Sequence, residues 1–327
     1  MSDMELKPFR TLEEQADLIL SRGCLGDKKT VMEKLSFVNY YRLSAYLYPY
    51  RKIDSDTGLR SDDFIDGTDF TEIWNTYRFD RRLRMILLDA IERFEIALRT
   101  RIAYCWANAN PGKFQSNPQN NQAAFASAFL APNARGTSSR DEFLEEVQRN
   151  YNRSNADCAN HHKAKGFFSV KDLPVWVFVE FATFGNLATL FRKGLPLPVR
   201  RAITSSFGLS DPKKLSSVIS LLGEVRNNCA HHSRVWNASW TYKPKNSATP
   251  QPIAPSLPDL GALKSSKIDK AKTAYILLLC DFLVGKIAPN SRWKNRLCSL
   301  FEEIPLTPFN IRQMGIDEIR FREWLDR

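Results

Sequence analysis

The sequence predicts an all-α fold, a helical bundle with extra N- and C-terminal helices and a polar insertion. Apolar residues recur every three or four positions, and alternating strand patterns are scarce. Pro, Gly, Asn and Ser collect in a few segments between the apolar stretches rather than throughout. The chain of 327 residues is long enough to bury a large core. Its 43% hydrophobic content excludes wholesale disorder.

In chain order, Thr11 followed by Leu12-Glu13-Glu14 reads as an N-cap with an acidic first turn. An aromatic segment from Asn39 to Tyr50 follows, and Pro49 should bend or end its helix. The clearest helix covers residues 70 to 105, where Leu83, Leu87, Ile91, Phe94 and Leu98 form one stripe. Glu95 and Arg99 on it are spaced for an i,i+4 pair. Residues 107 to 138 are rich in Asn, Gln, Pro and Ser and poor in large apolar residues, which predicts an insertion or mobile loop. A polar helix resumes over 139 to 157, and the basic run His161-His162-Lys163-Ala164-Lys165 leads back to the core.

A helix is expected from about Pro174 to Phe191, with Pro174 in its first turn. Another starts near Asp211-Pro212 and runs through Leu215, Val218, Leu222, Val225 and Cys229, with Ser210 or Asp211 as cap. Residues 237 to 262 read as a surface loop and 265 to 288 as an apolar helix. Short helices close the chain, broken near Pro305, Pro308 and Gly315. No repeat of fixed period is visible. The organisation expected is one helical domain over 1–327. It comprises an N-terminal helical segment (1–68), a core (69–289) interrupted by a loop or insertion (107–170), and C-terminal short helices (290–327).

Forty-seven Lys and Arg against 36 Asp and Glu give a net charge of +11. That excess favours polyanionic partners, nucleic acid first and an anionic membrane surface second. The six cysteines are scattered without a C-x-x-C pair, so reduced thiols are expected, with no metal and no cofactor. The N-terminus lacks the apolar core of a signal peptide. The longest apolar run, Ala274 to Cys280, is too short to span a bilayer. The expected location is the cytoplasm.

The segment that carries chemistry is Glu224-Val225-Arg226-Asn227-Asn228-Cys229-Ala230-His231-His232-Ser233-Arg234, which holds two of the four histidines. On a helical wheel Arg226 falls within the arc of Leu215, Val218, Leu222, Val225 and Cys229. A guanidinium there needs a carboxylate, a phosphate or a wet groove at an interface. On a continuous helix His231 points well away from Arg226. Convergence therefore requires the helix to end or bend near Asn227-Asn228, or the site to combine two chains. An imidazole that titrates near neutrality beside a guanidinium shaped for phosphate suits RNA cleavage by attack of the ribose 2′-OH. The mechanism needs no metal and is blind to DNA, which lacks the nucleophile. The alternative is structural: His231 caps the helix C-terminus and Arg226 pairs with a buried acid such as Glu180.

The motif resembles the R-x4–6-H signature of HEPN ribonucleases, in which Asn often follows the Arg and Ala often precedes the His. More specifically, the chain resembles the Abi-like abortive-infection family of the AbiD and AbiF kind. The resemblance rests on Asn39-Tyr40-Tyr41-Arg42-Leu43-Ser44, Tyr77-Arg78-Phe79-Asp80-Arg81-Arg82-Leu83-Arg84 and Ala90-Ile91-Glu92-Arg93-Phe94-Glu95. Pro174-Val175-Trp176 with Glu180 and Phe184-Gly185 adds to it, as does the stretch from Arg226 to Asn237. It spans most of residues 8 to 240. It implies a HEPN-type bundle over the core, phage defence by abortive infection, and a homodimer in which two R-x4-H motifs face each other. It also implies Arg226 and His231 as the active pair, Asn227 orienting the Arg or touching ribose, and His232 as a second fit at R-x5-H spacing. A structured noncoding RNA is a plausible partner by the same resemblance.

Other residues have two readings each. Arg78, Arg81, Arg82, Arg84, Arg99 and Arg101 track an RNA backbone or form a solvated face with local ion pairs. Arg192 and Lys193 are a second phosphate track or plain surface. Tyr40 and Tyr41 stack on bases or pack the core. Against the nuclease stand a noncatalytic RNA-binding scaffold and a toxin silenced by nucleotidyl modification.

Overall fold

The computed structural model describes residues 8–109, 125–132, 136–241, 271–315 and 324–325. Thr11 opens α1 (Leu12–Ser21) with a capping box: its Oγ1 accepts from Glu14 N at 3.2 Å, and Glu14 accepts from Thr11 N at 2.7 Å. Asp27 caps α2 (Lys28–Leu35) and Asn39 caps α3 (Tyr40–Leu47). Pro49 then confines Tyr48–Tyr50 to a single 3-10 turn, as its missing N–H and fixed φ require. The chain next makes the one sheet among the described residues, an antiparallel hairpin of β1 (Arg51–Ile53) and β2 (Arg60–Phe64). Its turn is built by Asp54, whose Oδ1 accepts from the N–H groups of Asp56 and Thr57, while Gly58 takes φ +67.

Asp69 caps α4 (Phe70–Asn108), accepting from Thr71 N at 2.6 Å. Its 39 residues at 1.5 Å each make a rod of about 58 Å. Phe79, Leu83, Leu87, Ile91, Phe94, Leu98 and Ile102 form its fully buried stripe, at the expected spacing. Most of the later helices dock on this rod.

Residues 110–124 and 133–135 of the expected loop at 107–138 lie outside the described residues. What is described there is not surface loop. Phe125 and Phe129, the latter on α5 (Ser127–Leu130), are buried. They belong to a run of ring contacts from Trp106 through Phe125, Phe129 and Phe143 to Phe178. Polarity of the segment hid two anchoring aromatics. α6 (Ser139–Arg153) and α7 (Asp157–Ala164) follow.

The single helix expected over Pro174–Phe191 is instead four short pieces: α8 (Val175–Phe178), a 3-10 turn, α9 (Phe184–Thr189) and a π turn. Pro174 is the residue before the first turn rather than inside it. The break has a cause: Ala182 is extended, and Thr183 starts a new helix by a capping box with Asn186. Arg99 satisfies the carbonyls that the break frees, donating Nη1 to Val179 O and Ala182 O.

α10 (Leu197–Ser206) leads to α11 (Pro212–Ala230), with Asp211 as cap and Pro212 at the first position. Residues 242–270, most of the expected loop at 237–262 and the start of the helix expected at 265–288, lie outside the described residues. α12 (Thr273–Ile287) is buried almost all round. α13 (Trp293–Glu303) and α14 (Pro308–Gln313) close the described fold.

α4 touches α3 and α8 through α13, so the core is one continuous mass around it. Far ends of the chain meet there in a buried polar knot. Asn310 Nδ2 donates to Tyr50 Oη at 2.8 Å and to Thr76 Oγ1 at 3.2 Å, and both Tyr50 and Thr307 donate to Glu72. The architecture is all-α, and no described helix is long and apolar enough to cross a membrane.

Candidate functional site at the end of α11

α11 does not end or bend at Asn227-Asn228; it runs to Ala230. His231 is its C-cap and His232 the residue after it. His231 N donates to Asn227 O at 2.9 Å, His232 N to Cys229 O at 3.1 Å and Ser233 N to Asn228 O at 2.8 Å, the last two making a Schellman closure. That closure demands a left-handed residue, a place where glycine is favoured. His232 fills it at φ +59, alone among the described non-glycine residues in having positive φ. A histidine is thus held in a costly conformation beside the motif.

A bracket fixes the turn. Arg42 on α3 donates Nη1 to His232 O at 2.7 Å. Arg84 on α4 donates to Ser233 O at 3.2 Å and to Asp80 Oδ2 at 2.5 Å. Asp80 is fully buried and accepts four hydrogen bonds. Tyr46 Oη reaches Oδ2 at 2.5 Å, while the N–H groups of Val235 and Trp236 reach Oδ1 at 3.0 and 2.6 Å. Arg234 donates to Ala45 O. Burial pushes the Asp80 carboxyl up, against the pull of Arg84 and of these donors. Burial also raises the Cys229 thiol to about 12, so the motif's cysteine is packing and not a nucleophile.

Around this bracket Arg226, Asn227, Ala230, His231 and His232 are all exposed. Among the described residues Arg226 approaches only Asn227 Oδ1, at 3.4 Å. Neither histidine ring takes part in a hydrogen bond among the described residues. Glu180, the acid weighed as a partner for Arg226, instead lies 4.0 Å from Arg99. His231 does end the helix, as the structural alternative has it, but through its backbone, which leaves the imidazole unengaged. On an ideal helix positions five apart sit about 140° apart around the axis, and no hydrogen bond joins the Arg226 and His231 side chains among the described residues.

The expected arginine track divides. Arg84 is buried against Asp80, and Arg99 is held by Glu95 and two carbonyls, so neither is placed to meet RNA. Arg82 pairs with Glu303, and Arg101 bonds Ser206 and lies over the Tyr104 ring. Arg78, Arg81, Arg192 and Lys193 are exposed. Tyr40 is half-buried and Tyr41 exposed, while Tyr46 and Tyr50 are core. His161 and His162 sit on α7, where His162 Nδ1 meets Cys158 O at 2.8 Å. Among the described residues no group of three His, Cys, Asp or Glu could hold a metal ion.

The residues that sequence reasoning missed are Asp80, Arg42 and Tyr46. One signal was legible: Asp80 stands three residues before Leu83 and seven before Leu87, an acid on the buried stripe of α4. The three blocks around residues 39–44, 77–84 and 226–237, distant in sequence, meet at this one bracket.

No curated protein and no solved structure matches the chain. The family model described as Abi-like protein matches residues 33–237, which spans every residue of the bracket. The chain belongs to the Abi-like protein family, and with it to the general setting of phage defence by abortive infection.

Proposed function

We propose that this protein is a metal-independent endoribonuclease that acts in abortive infection as a homodimer, with Arg226 and His231 from two chains around one scissile phosphodiester. The observation that carries the reading is the exposure of Arg226 and His231 on one rigidly braced helix end, with neither side chain tied to a carboxylate among the described residues. A guanidinium on the apolar arc of α11 that none of the described residues covers fits a wet interface between copies.

In this reading the His231 imidazole takes the proton from the 2′-OH as that oxygen attacks the adjacent phosphorus. Arg226 stabilises the charge on the phosphorane oxygens. The 5′-oxygen leaves with a proton supplied by water, the His231 imidazolium returns its proton to solvent, and the products are a 2′,3′-cyclic phosphate and a 5′-hydroxyl. Asn227, 3.4 Å from Arg226, orients the guanidinium. His232 sets the turn.

The test is sequencing of copurifying RNA and its termini from wild-type protein and from His231→Ala and Arg226→Ala variants, with protection against phage measured in parallel. Both variants should retain RNA, lose cyclic-phosphate ends and lose protection, and the wild type should run as a dimer in light scattering. Protection that survives His231→Ala, with a discrete noncoding RNA bound and uncut, favours the scaffold and ends the nuclease reading.

A further inference from the structure

Between the N-terminal segment, α1, α3 and Arg234 lies an open cleft of about 860 Å³. Neither Arg226, Asn227, His231 nor His232 lines it. Its walls bring four guanidinium groups, Arg10, Arg22, Arg51 and Arg234, against one carboxylate, Asp62. Arg22 and Arg51 share that carboxylate, at 2.6 and 2.8 Å. Arg234 is half-buried, donates to Ala45 O and enters no ion pair among the described residues. Burial holds its pKa below the usual guanidinium value, against the pull of Tyr46 and Asp80.

The same cleft presents aromatic faces. Tyr41 is 67% exposed and Tyr48, with the Arg60 guanidinium 5.4 Å over one face of its ring, is 51% exposed; both line the cleft, as does Phe9. Tyr40 meets Tyr41 edge to face, centroids 6.0 Å apart at 89°, which fixes the angle of the outer ring. Exposed aromatic faces beside excess guanidinium match one ligand chemistry, a planar base joined to a phosphate. An acidic peptide would satisfy the arginines but leave the rings in water. A membrane surface would not enter a concave site.

The geometry points to this cleft as a second nucleic-acid site, which binds an unpaired nucleotide with its base on Tyr41 and Tyr48 and its phosphate on Arg10 and Arg234. The site is built onto the α11 turn. Tyr40, Tyr41, Ser44 and Ala45 line the cleft from α3, the same helix whose Arg42 holds His232 O. Arg234 lines the cleft and is two residues from His232. Whatever fills the cleft rests on the bracket of the strained turn.

The experiment uses the full chain carrying His231→Ala, so that any RNA stays intact and binding is read apart from cleavage. A short fluorescein-labelled single-stranded oligoribonucleotide is titrated by anisotropy against this parent and against parents that also carry Tyr41→Ala or Arg10→Glu. Both added changes are at exposed residues, and unchanged circular dichroism verifies the fold. Tyr41→Ala should raise Kd at least about fivefold, the lower end of one lost base stack. Arg10→Glu should weaken binding and flatten its dependence on salt. Adenosine monophosphate that displaces the oligonucleotide identifies a free nucleotide as the natural ligand. Failure to displace it, with Tyr41 dependence retained, identifies an RNA chain. Unchanged Kd and salt slope in both variants overturn the site. Retained binding with no cleavage by the wild type would sink only the nuclease reading, and the cleft would stand.

Discussion

The charge at the centre of the bracket can be removed in two ways, and the difference between them measures what holds the α11 turn. Asp80→Asn keeps one carbonyl oxygen for the N–H groups of Val235 and Trp236 but removes the carboxylate from Arg84, whose residue is 5% exposed. Orphaning a buried charge of this kind costs about 3–5 kcal/mol. Asp80→Ala also strands two buried N–H groups at about 1–3 kcal/mol each, a total that approaches the whole stability of a typical domain. The alanine variant should therefore fail to accumulate as folded protein, whereas the asparagine variant folds and can be measured. Removing both charges in Asp80→Asn with Arg84→Met should recover most of the loss, with a coupling energy of at least about 2 kcal/mol. The assay is urea unfolding followed by tryptophan fluorescence, since buried Trp236 lies directly behind the turn. An Asp80→Asn protein within about 1 kcal/mol of wild type, or a double variant as unstable as the two single losses summed, would refute the account of the bracket.

Three further outcomes are expected. His232→Gly relieves a left-handed side chain and should raise stability by about 0.5–1 kcal/mol in the same urea assay, after allowing for glycine's greater freedom when unfolded. A loss of stability would show that the ring is held by contacts that outweigh the strain. Thr11→Ala removes the hydroxyl half of the α1 capping box, the acceptor for Glu14 N, and should cost about 0.5–2 kcal/mol, read as faster amide exchange confined to α1. Hydrogen bonds from Thr11 and Thr30 hold the Glu14 and Asp27 carboxyls below their ordinary values of 4.5 and 3.8. A depressed carboxyl stabilises the fold fully above those values, and the contribution fades as pH falls through the lowered folded-state pKa. Helicity lost between pH 5 and neutrality, rather than below the ordinary carboxylate range, would contradict that assignment.

The parts legible in the sequence are those in which one local signal dominates. The stripe from Leu83 to Leu98 writes out α4, Asp211-Pro212 writes the start of α11, and Thr11 and Pro49 mark an onset and a stop. The hairpin of β1 and β2 escaped because Arg60-Ser61-Asp62-Asp63-Phe64 has no alternation. Its pairing comes from the Asp54 turn. The break at Ala182 escaped because Val175 to Phe181 is apolar except for Glu180, and only the Thr183–Asn186 spacing announces the new helix. At the site, the wheel placed Arg226 on the apolar arc, and the residue is nonetheless exposed. A wheel gives direction, not cover, and at the last turn of α11 nothing in the described chain lies over that face. The bracket was least visible of all, since Asp80, Arg42 and Val235 are far apart in sequence and only tertiary folding unites them.

The polar knot of Tyr50, Glu72, Thr76 and Asn310 sets an order of events at the ribosome. The bracket of the α11 turn is complete once Trp236 has emerged, but Glu72 and Thr76 wait for a side chain 74 residues later. At common rates of translation that interval is about 4–15 s. During it the nascent chain carries an assembled motif on an unfinished rod, with the docking faces for α12 and α13 still open. A chain built this way leaves the α11 turn open to its surroundings in each round of synthesis until the C-terminal helices close over the core.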